Sequence, residues 1–437
     1  MREGGYERVP SVTARGVEVA VERTVHGGLA LGRAKTGEVA LVRGAIPGER
    51  VLADLRSQKG VLMGATLQVL EPSQDRVPPS FHPGLDFSHM TYARQLTEKR
   101  SVVADALARA RRQAKVGGRA AVAESGVAPV VPAPSEWAYR SGVQPATVPG
   151  GLSYRRLESN EVVVIGADPV ATAGVDAAWQ RAVAMRAHAA RGAVELVIRA
   201  NDEGHALLAI VAHTTARRLL PLAHALVNSG ITGVALAPHD PRGRFRSGTE
   251  RLAGERTILQ RYGDVVVSVN ASSFAQPNPA AAGGLYRELA GWAGAGERAV
   301  ELFAGGGAIS FHLAPAFARV TAIEIDRGAV MRGERDAARL GLGNVEFARQ
   351  DARLAAIPAD AELLVVDPPR AGLSAEVRAA IAASGAARLL YVSCDAATWA
   401  RDVADFEARG FRLARFMPYD FYPQTHHVEL LSELTRG

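Results

Sequence analysis

The single cysteine of the chain, Cys394, lies in Ser393-Cys394-Asp395, straight after the apolar run Leu389-Leu390-Tyr391-Val392. One cysteine has no internal disulfide partner. A thiol closing a buried strand is either a small core hydrophobe or a nucleophile, and its companions decide which. Asp367-Pro368-Pro369-Arg370 closes a second apolar run, and Thr425-His426-His427-Val428-Glu429 precedes Leu430-Leu431 near the C-terminus. Position 5 of a uracil is too poor a nucleophile to attack a methylsulfonium unaided. A thiolate adding at position 6 creates an enolate that can attack, and a base must then take the proton from position 5 so that the thiolate can leave. Cys394 is the candidate thiolate and Glu429 the candidate base. His427 stands two positions before Glu429, on the same side if the stretch is extended.

Glu301-Leu302-Phe303-Ala304-Gly305-Gly306-Gly307-Ala308 follows an apolar run and leads into a helical pattern. Glycines such as Gly305 and Gly307 let a backbone turn tightly and approach a ligand. Some twenty residues on, Glu324 ends the next run, placed to accept from ribose hydroxyls. A nicotinamide dinucleotide site has the same grammar, but the spacing here puts Ser310 where its third glycine belongs. A nucleoside cofactor without pyrophosphate, S-adenosylmethionine, fits better, and Asp351 would then accept the adenine amino group. The prolines after Asp367 stiffen a loop that can meet a planar ring, with Asp367 partnering an imide edge. Related motifs for exocyclic-amine methylation carry an aromatic where Arg370 stands, which argues against amine chemistry and leaves Arg370 facing substrate.

These residues need strand ends to hold them. Arg298–Phe303, Val320–Asp326, Asn344–Ala348, Glu362–Asp367 and Leu389–Ser393 are apolar runs alternating with helical segments. That order predicts a doubly wound, Rossmann-like parallel sheet over 266–437, which binds ligands at its carboxyl edge. Residues 9–72 read as a small β-barrel of the oligonucleotide-binding type, from short alternating runs such as Val17–Glu22, Val39–Val42 and Arg50–Leu55. Residues 73–265 read as a central α/β domain that contacts RNA, opened by a helix at 91–115 that can pack on the catalytic domain. The helix shows Leu96, Val103, Leu107 and Ala110 at helical spacing. Its basic end (Arg109, Arg111, Arg112, Lys115) reads as a solvated face, and Arg242, Arg244 and Arg246 as a basic loop.

The chain has 437 residues, 48% hydrophobic and 22% charged, which fits a soluble multidomain protein. Its net charge of +6 permits a nucleic-acid partner without demanding one. No run is long enough to span a bilayer and no export signal opens the chain, so a cytoplasmic location without membrane contact is expected.

Taken together, the motifs resemble the RNA 5-methyluridine methyltransferase family. The resemblance rests on Phe274-Ala275-Gln276-Pro277-Asn278, the glycine loop, Asp367 to Gly372, Ser393 to Asp402 and Phe421 to Glu429, and the N-terminal part looks like a TRAM domain. It implies Cys394 as nucleophile, Glu429 as base, and Gln276, Phe303, Glu324, Asp351 and Asp367 around S-adenosylmethionine. Gln276 and Asp367 also lie near the target base in such enzymes, with Phe274 stacking on it. The implied product is 5-methyluridine in structured RNA, with 23S ribosomal RNA ahead of transfer RNA, made by a monomer. Many TRAM-bearing relatives hold an iron–sulfur cluster on cysteines that would fall within Phe81–Met90 and near Asp168-Pro169. One cysteine cannot supply four thiolates, so no cluster and no metal is expected. The family's Asn-Pro after the nucleophile is Asp395-Ala396 here, and the extra carboxylate would oppose thiolate formation. Its leucine is Trp399, a change for packing to absorb. The rival readings are an amine methyltransferase, which would not depend on Cys394, and an RNA-binding module whose catalytic site has decayed.

Overall fold

The structure is a computed structural model and describes residues 14–58, 60–114, 126–156, 161–241, 245 and 248–436. Lys115, Arg242, Arg244 and Arg246 lie outside the described residues, as does the start of the expected barrel segment.

Ala14–Val25, Leu29–Ala34, Val39–Arg43, Arg50–Gln58 and Val61–Glu71 close into a five-stranded barrel. Alternation points Val19, Val21, Val51, Ala53 and Leu55 into its core. Its ladder is not wholly antiparallel, because the third strand runs parallel to the fifth. The fourth strand crosses to pair with the first, which leaves third and fifth as neighbours and every edge satisfied.

A proline-rich connector leads to the Tyr92–Gln113 helix, which packs on the Ala396–Ala408 helix. Its buried stripe is Gln95, Lys99, Val103 and Leu107, one row at i+4 spacing. Leu96 is only half-buried, so two polar residues take the place expected for an apolar one. The helix's basic end is also not simply solvated. Arg111 is 11% exposed and makes a bidentate pair with Glu407, at 2.8 and 2.7 Å.

The central sheet has eight strands, mixed in direction, with Ala206–Ala212 parallel to Gly233–Pro238 and antiparallel to Ala193–Ala200. One face packs Leu196 and Ile198 against the Ala173–Ala184 and Ala216–Asn228 helices. The other packs Val197, Leu207 and Val211 into the core that also holds Leu285, Val365 and Leu431. Asp168, near where the resemblance places a cluster ligand, accepts from the Tyr154 hydroxyl at 2.8 Å and from the Val170 N–H at 3.0 Å. Its carboxylate stands 3.6 Å from His82 Nε2, so this network ties the Phe81–Met90 segment to the central sheet.

The C-terminal sheet has seven strands: β1 (Gly296–Leu302), β2 (Phe317–Glu324), β3 (Val345–Arg349), β4 (Leu363–Val366), β5 (Arg388–Ser393), β6 (Phe411–Tyr419) and β7 (Glu429–Arg436). Their order is β3-β2-β1-β4-β5-β7-β6. β1 to β5 run parallel and nearly every residue of β4 and β5 is buried, as expected of strands covered on both faces. β7 runs antiparallel between β5 and β6. Strand order reverses between β1 and β4, and the crevice at that point is where such sheets bind ligands. Among the described residues no helix is long and apolar enough to cross a membrane.

Candidate active site

Sheet order lays the candidate residues along one edge. Asp351 follows β3, Glu324 ends β2, Phe303 to Gly305 follow β1, Asp367 follows β4 and Cys394 follows β5. Because β7 is antiparallel, its first residue, Glu429, arrives at that same edge. Ser393 pairs with Leu430, so the next residues outward, Cys394 and Glu429, face each other across a pair whose Cα atoms lie about 5 Å apart in such ladders.

Glu429 is fully buried and neither of its carboxylate oxygens has a hydrogen-bond partner. Burial, reinforced by Asp367, holds its pKa well above the usual carboxylate range, with Arg370 opposing. Burial also pushes Asp367 up to about 7, although its side chain keeps a partly exposed edge. Glu301 in β1 is pushed up to about 8 by burial. It accepts from the Ser310 hydroxyl, which explains a serine where a dinucleotide loop would have glycine. Cys394 is pushed up to about 12, first by burial and then by Glu429 and Asp367, against Arg370. The resting site therefore holds a thiol among protonated acids, and Arg370 is the cation that favours the ionised forms of both Cys394 and Glu429.

Asp395 departs from the sequence expectation in its main effect. Its Oδ1 accepts the N–H groups of Ala397 at 3.1 Å and Thr398 at 2.9 Å, capping the Ala396–Ala408 helix. Its carboxylate does raise the thiol's pKa, but less than Glu429 or Asp367 does. His427 accepts an N–H from Arg370 at Nε2, 3.3 Å away. Burial and the surrounding cations push it down to about 2, so the ring is neutral and serves as an acceptor.

On the other side of the crevice, Glu324 accepts the N–H of Gly305 at 2.9 Å and of Asp326 at 2.7 Å, which fixes the carboxylate at the strand end. Phe303 has φ +65, a strained conformation for a non-glycine residue and a frequent mark of a site. A side chain added at Gly305 or Gly306 would meet open space, so the loop presents bare backbone to the crevice. Gly307 differs. A Cβ there would come within 2.5 Å of Phe347, so packing of the following helix requires this glycine, not ligand approach. Gln276 is buried with its Oε1 unpartnered. Asp351 is bound by Arg353, at 3.1 and 2.5 Å, so an adenine amino group would have to share it. The fixed Glu324, the open glycine backbone and the orphaned Gln276 oxygen fit a nucleoside cofactor whose polar groups would complete them. Phe274 is 80% exposed and leaves an aromatic face free.

The stretch carrying His427 is held by residues that the sequence does not single out. Gln95 exchanges hydrogen bonds with Gln424, both at 2.8 Å, and Lys99 donates to Asp420 at 2.6 Å and to the Tyr422 carbonyl at 3.1 Å. Asp86 accepts from the His426 N–H at 3.1 Å and bonds its ring at 2.7 Å. Polar residues continuing a buried helical stripe were the available signal.

Asp367→Asn gives a test of the acid cluster. With a folded pKa of about 7 against about 3.9 unfolded, the folded state keeps a proton that the unfolded state loses between those values. Stability therefore falls as pH rises through that window, by at most about 1.4 kcal/mol per pH unit. The variant should lose less stability than wild type between pH 4 and 7, read as Tm across pH, while methyl transfer drops. Parallel Tm curves would show that Asp367 is not held protonated.

The fold, with its carboxyl-edge crevice, is that of an S-adenosylmethionine-dependent methyltransferase. Residues 257–436 match the family described as tRNA (uracil-5-)-methyltransferase. An uncharacterized RNA methyltransferase of Gloeobacter violaceus is 30% identical over 96% of this chain and 96% of its own length. The 23S rRNA (uracil(747)-C(5))-methyltransferase of Vibrio cholerae is 32% identical over 55% of this chain and 66% of its own. Among solved structures, the tRNA (uracil-54, C5)-methyltransferase of Pyrococcus abyssi, in complex with S-adenosyl-L-homocysteine, matches in fold with a TM-score of 0.77 at 21% identity, over 97% of this chain and 100% of that one. The chain belongs to the RNA uracil-5 methyltransferase family.

Proposed function

We propose that the protein methylates carbon 5 of a specific uridine in structured RNA through a covalent bond from Cys394 to carbon 6. The observation that carries this reading is the β5–β7 register, which sets the chain's one thiol opposite a buried carboxylate with no partner. The target base leaves its stack to reach the cleft, and stacking on Phe274 returns about 1–3 kcal/mol of the unstacking cost. The Cys394 sulfur bonds to carbon 6 as the ring's double-bond pair moves toward the carbonyl at carbon 4. S-adenosylmethionine, held by Gln276, Glu324 and Asp367 beside Phe303 and Gly305, supplies the electrophilic methyl group that carbon 5 receives. Glu429 then takes the proton from carbon 5, the ring double bond re-forms, and the carbon–sulfur bond breaks to return the thiolate. Arg370, bonded to the neutral His427, favours the thiolate and the carboxylate and meets the base's oxygen edge.

Large-subunit ribosomal RNA is the first target, supported by the likeness to the Vibrio cholerae enzyme and by a barrel placed to hold RNA. Transfer RNA is the second, supported by the whole-chain fold likeness to the Pyrococcus abyssi enzyme. Incubating the purified protein with labelled S-adenosylmethionine and either 23S rRNA or tRNA, then mapping the product by mass spectrometry, separates them. N-methyl nucleosides would favour the amine reading. An absence of both product and cofactor binding would favour a decayed module.

A further inference from the structure

We propose that the N-terminal barrel forms a wall of the catalytic cleft, and that His26 on its first turn is a positioning residue for Cys394, acting through Asp395. The proposal rests on Cys394 being the nucleophile.

The cleft that opens onto Cys394 is lined by Val25, His26 and Gly28 as well as by Arg370, Asp395 and His427. The first three belong to the turn between the barrel's first two strands, more than three hundred residues away in the chain. The turn is seated by the absence of a side chain. Gly28 has φ +75, and a Cβ there would run into Asp86 Oδ2 and come within 2.9 Å of His426 Cβ. Asp86 is the group that holds His426, so the barrel turn rests directly on the stretch leading to Glu429.

His26 then points its Nε2 to within 3.4 Å of Asp395 Oδ2, with half of its side chain exposed at the rim of the cleft. Asp395 has divided duties. Its Oδ1 caps the helix that follows the nucleophile, while Oδ2 meets the histidine. The charges acting on Cys394 are Glu429 from β7, Asp367 from the end of β4, Arg370 from the loop beyond it, and Asp395 from its own turn. Carboxyl groups outnumber the guanidinium, so a further negative charge beside the thiol is unwelcome unless it is offset. His26 is the histidine in contact with that carboxylate. It both fixes the orientation of Asp395 and opposes its charge, which makes an aspartate tolerable directly after the nucleophile. A barrel that served only as a remote RNA clamp would need neither contact.

The single cysteine makes the test specific, because alkylation by iodoacetamide reports on Cys394 alone. His26→Ala should slow alkylation about fivefold, the scale of one partly exposed ion pair. It should lower kcat for methyl transfer by a similar factor, with RNA affinity within about twofold and Tm unchanged. In an Asp395→Asn background the same substitution should change neither rate further. Equal alkylation rates for wild type and His26→Ala would overturn the proposal. So would an undiminished effect of His26→Ala in the Asp395→Asn background, or a loss confined to RNA affinity. Failure of the underlying reading is visible separately: Cys394→Ala would then retain methyl transfer whatever the alkylation comparison gives.

Discussion

Cys394→Ala is expected to abolish methyl transfer, by a factor of about 10,000 or more, the scale on which removing an essential nucleophile acts. The fold should survive. The side chain stands half-exposed at the end of β5, and the cap that starts the next helix comes from Asp395, which the substitution leaves in place. Glu324, Gly305 and Gln276 lie across the crevice on other elements, so S-adenosylmethionine affinity should stay near wild type. Label incorporation into RNA, calorimetric cofactor binding and Tm together separate lost chemistry from lost structure. Full turnover by the variant would refute the covalent route and return the amine reading to first place.

Glu429→Gln should have the opposite appearance: arrest after methyl transfer, with protein and RNA left joined. Because the free site keeps Glu429 protonated, glutamine is close in shape and charge to the resting side chain, and folding should be little affected. What it cannot do is accept the proton from carbon 5. Without that step the carbon–sulfur bond has no electron pair returning to the ring to expel it, and the adduct persists. A band that resists denaturation and carries methyl label is the expected readout. Turnover at the wild-type rate with no such band would assign the proton to another base, and Asp367, the carboxyl group that acts on Glu429, is the alternative.

The catalytic sheet was legible because its strands are buried on both faces and each apolar run gives way to a chemically distinctive residue. Leu363-Leu364-Val365-Val366 before Asp367, and Leu389–Val392 before Ser393-Cys394, announce themselves in this way. β6 and β7 were harder. Phe411–Tyr419 is half-exposed over most of its length, and Glu429–Arg436 buries Glu429, Ser432 and Glu433, which breaks any apolar pattern. The barrel's fifth strand leaves Leu67 exposed, so its alternation cannot be read, and with it the parallel pairing. At the site, residue types revealed Cys394, Asp367, Glu324 and Glu429 as chemically competent. They could not reveal that a helix from another part of the chain clamps the stretch before Glu429, since Gln95–Gln424 and Lys99–Asp420 join residues over three hundred positions apart. Nor could they distinguish Gly305, open to the crevice, from Gly307, closed by Phe347.

The mechanism turns on a bond between one sulfur and one ring carbon. RNA transcribed with 5-fluorouridine probes that bond, because a carbon 5 that carries fluorine and methyl has no proton for Glu429 to remove. With wild-type protein and S-adenosylmethionine, intact mass spectrometry should find protein plus RNA plus one methyl group, and digestion should place the RNA fragment on the Cys394 peptide. Failure to form that species with RNA whose unfluorinated form is methylated, or a fragment attached at any other residue, would rule the mechanism out.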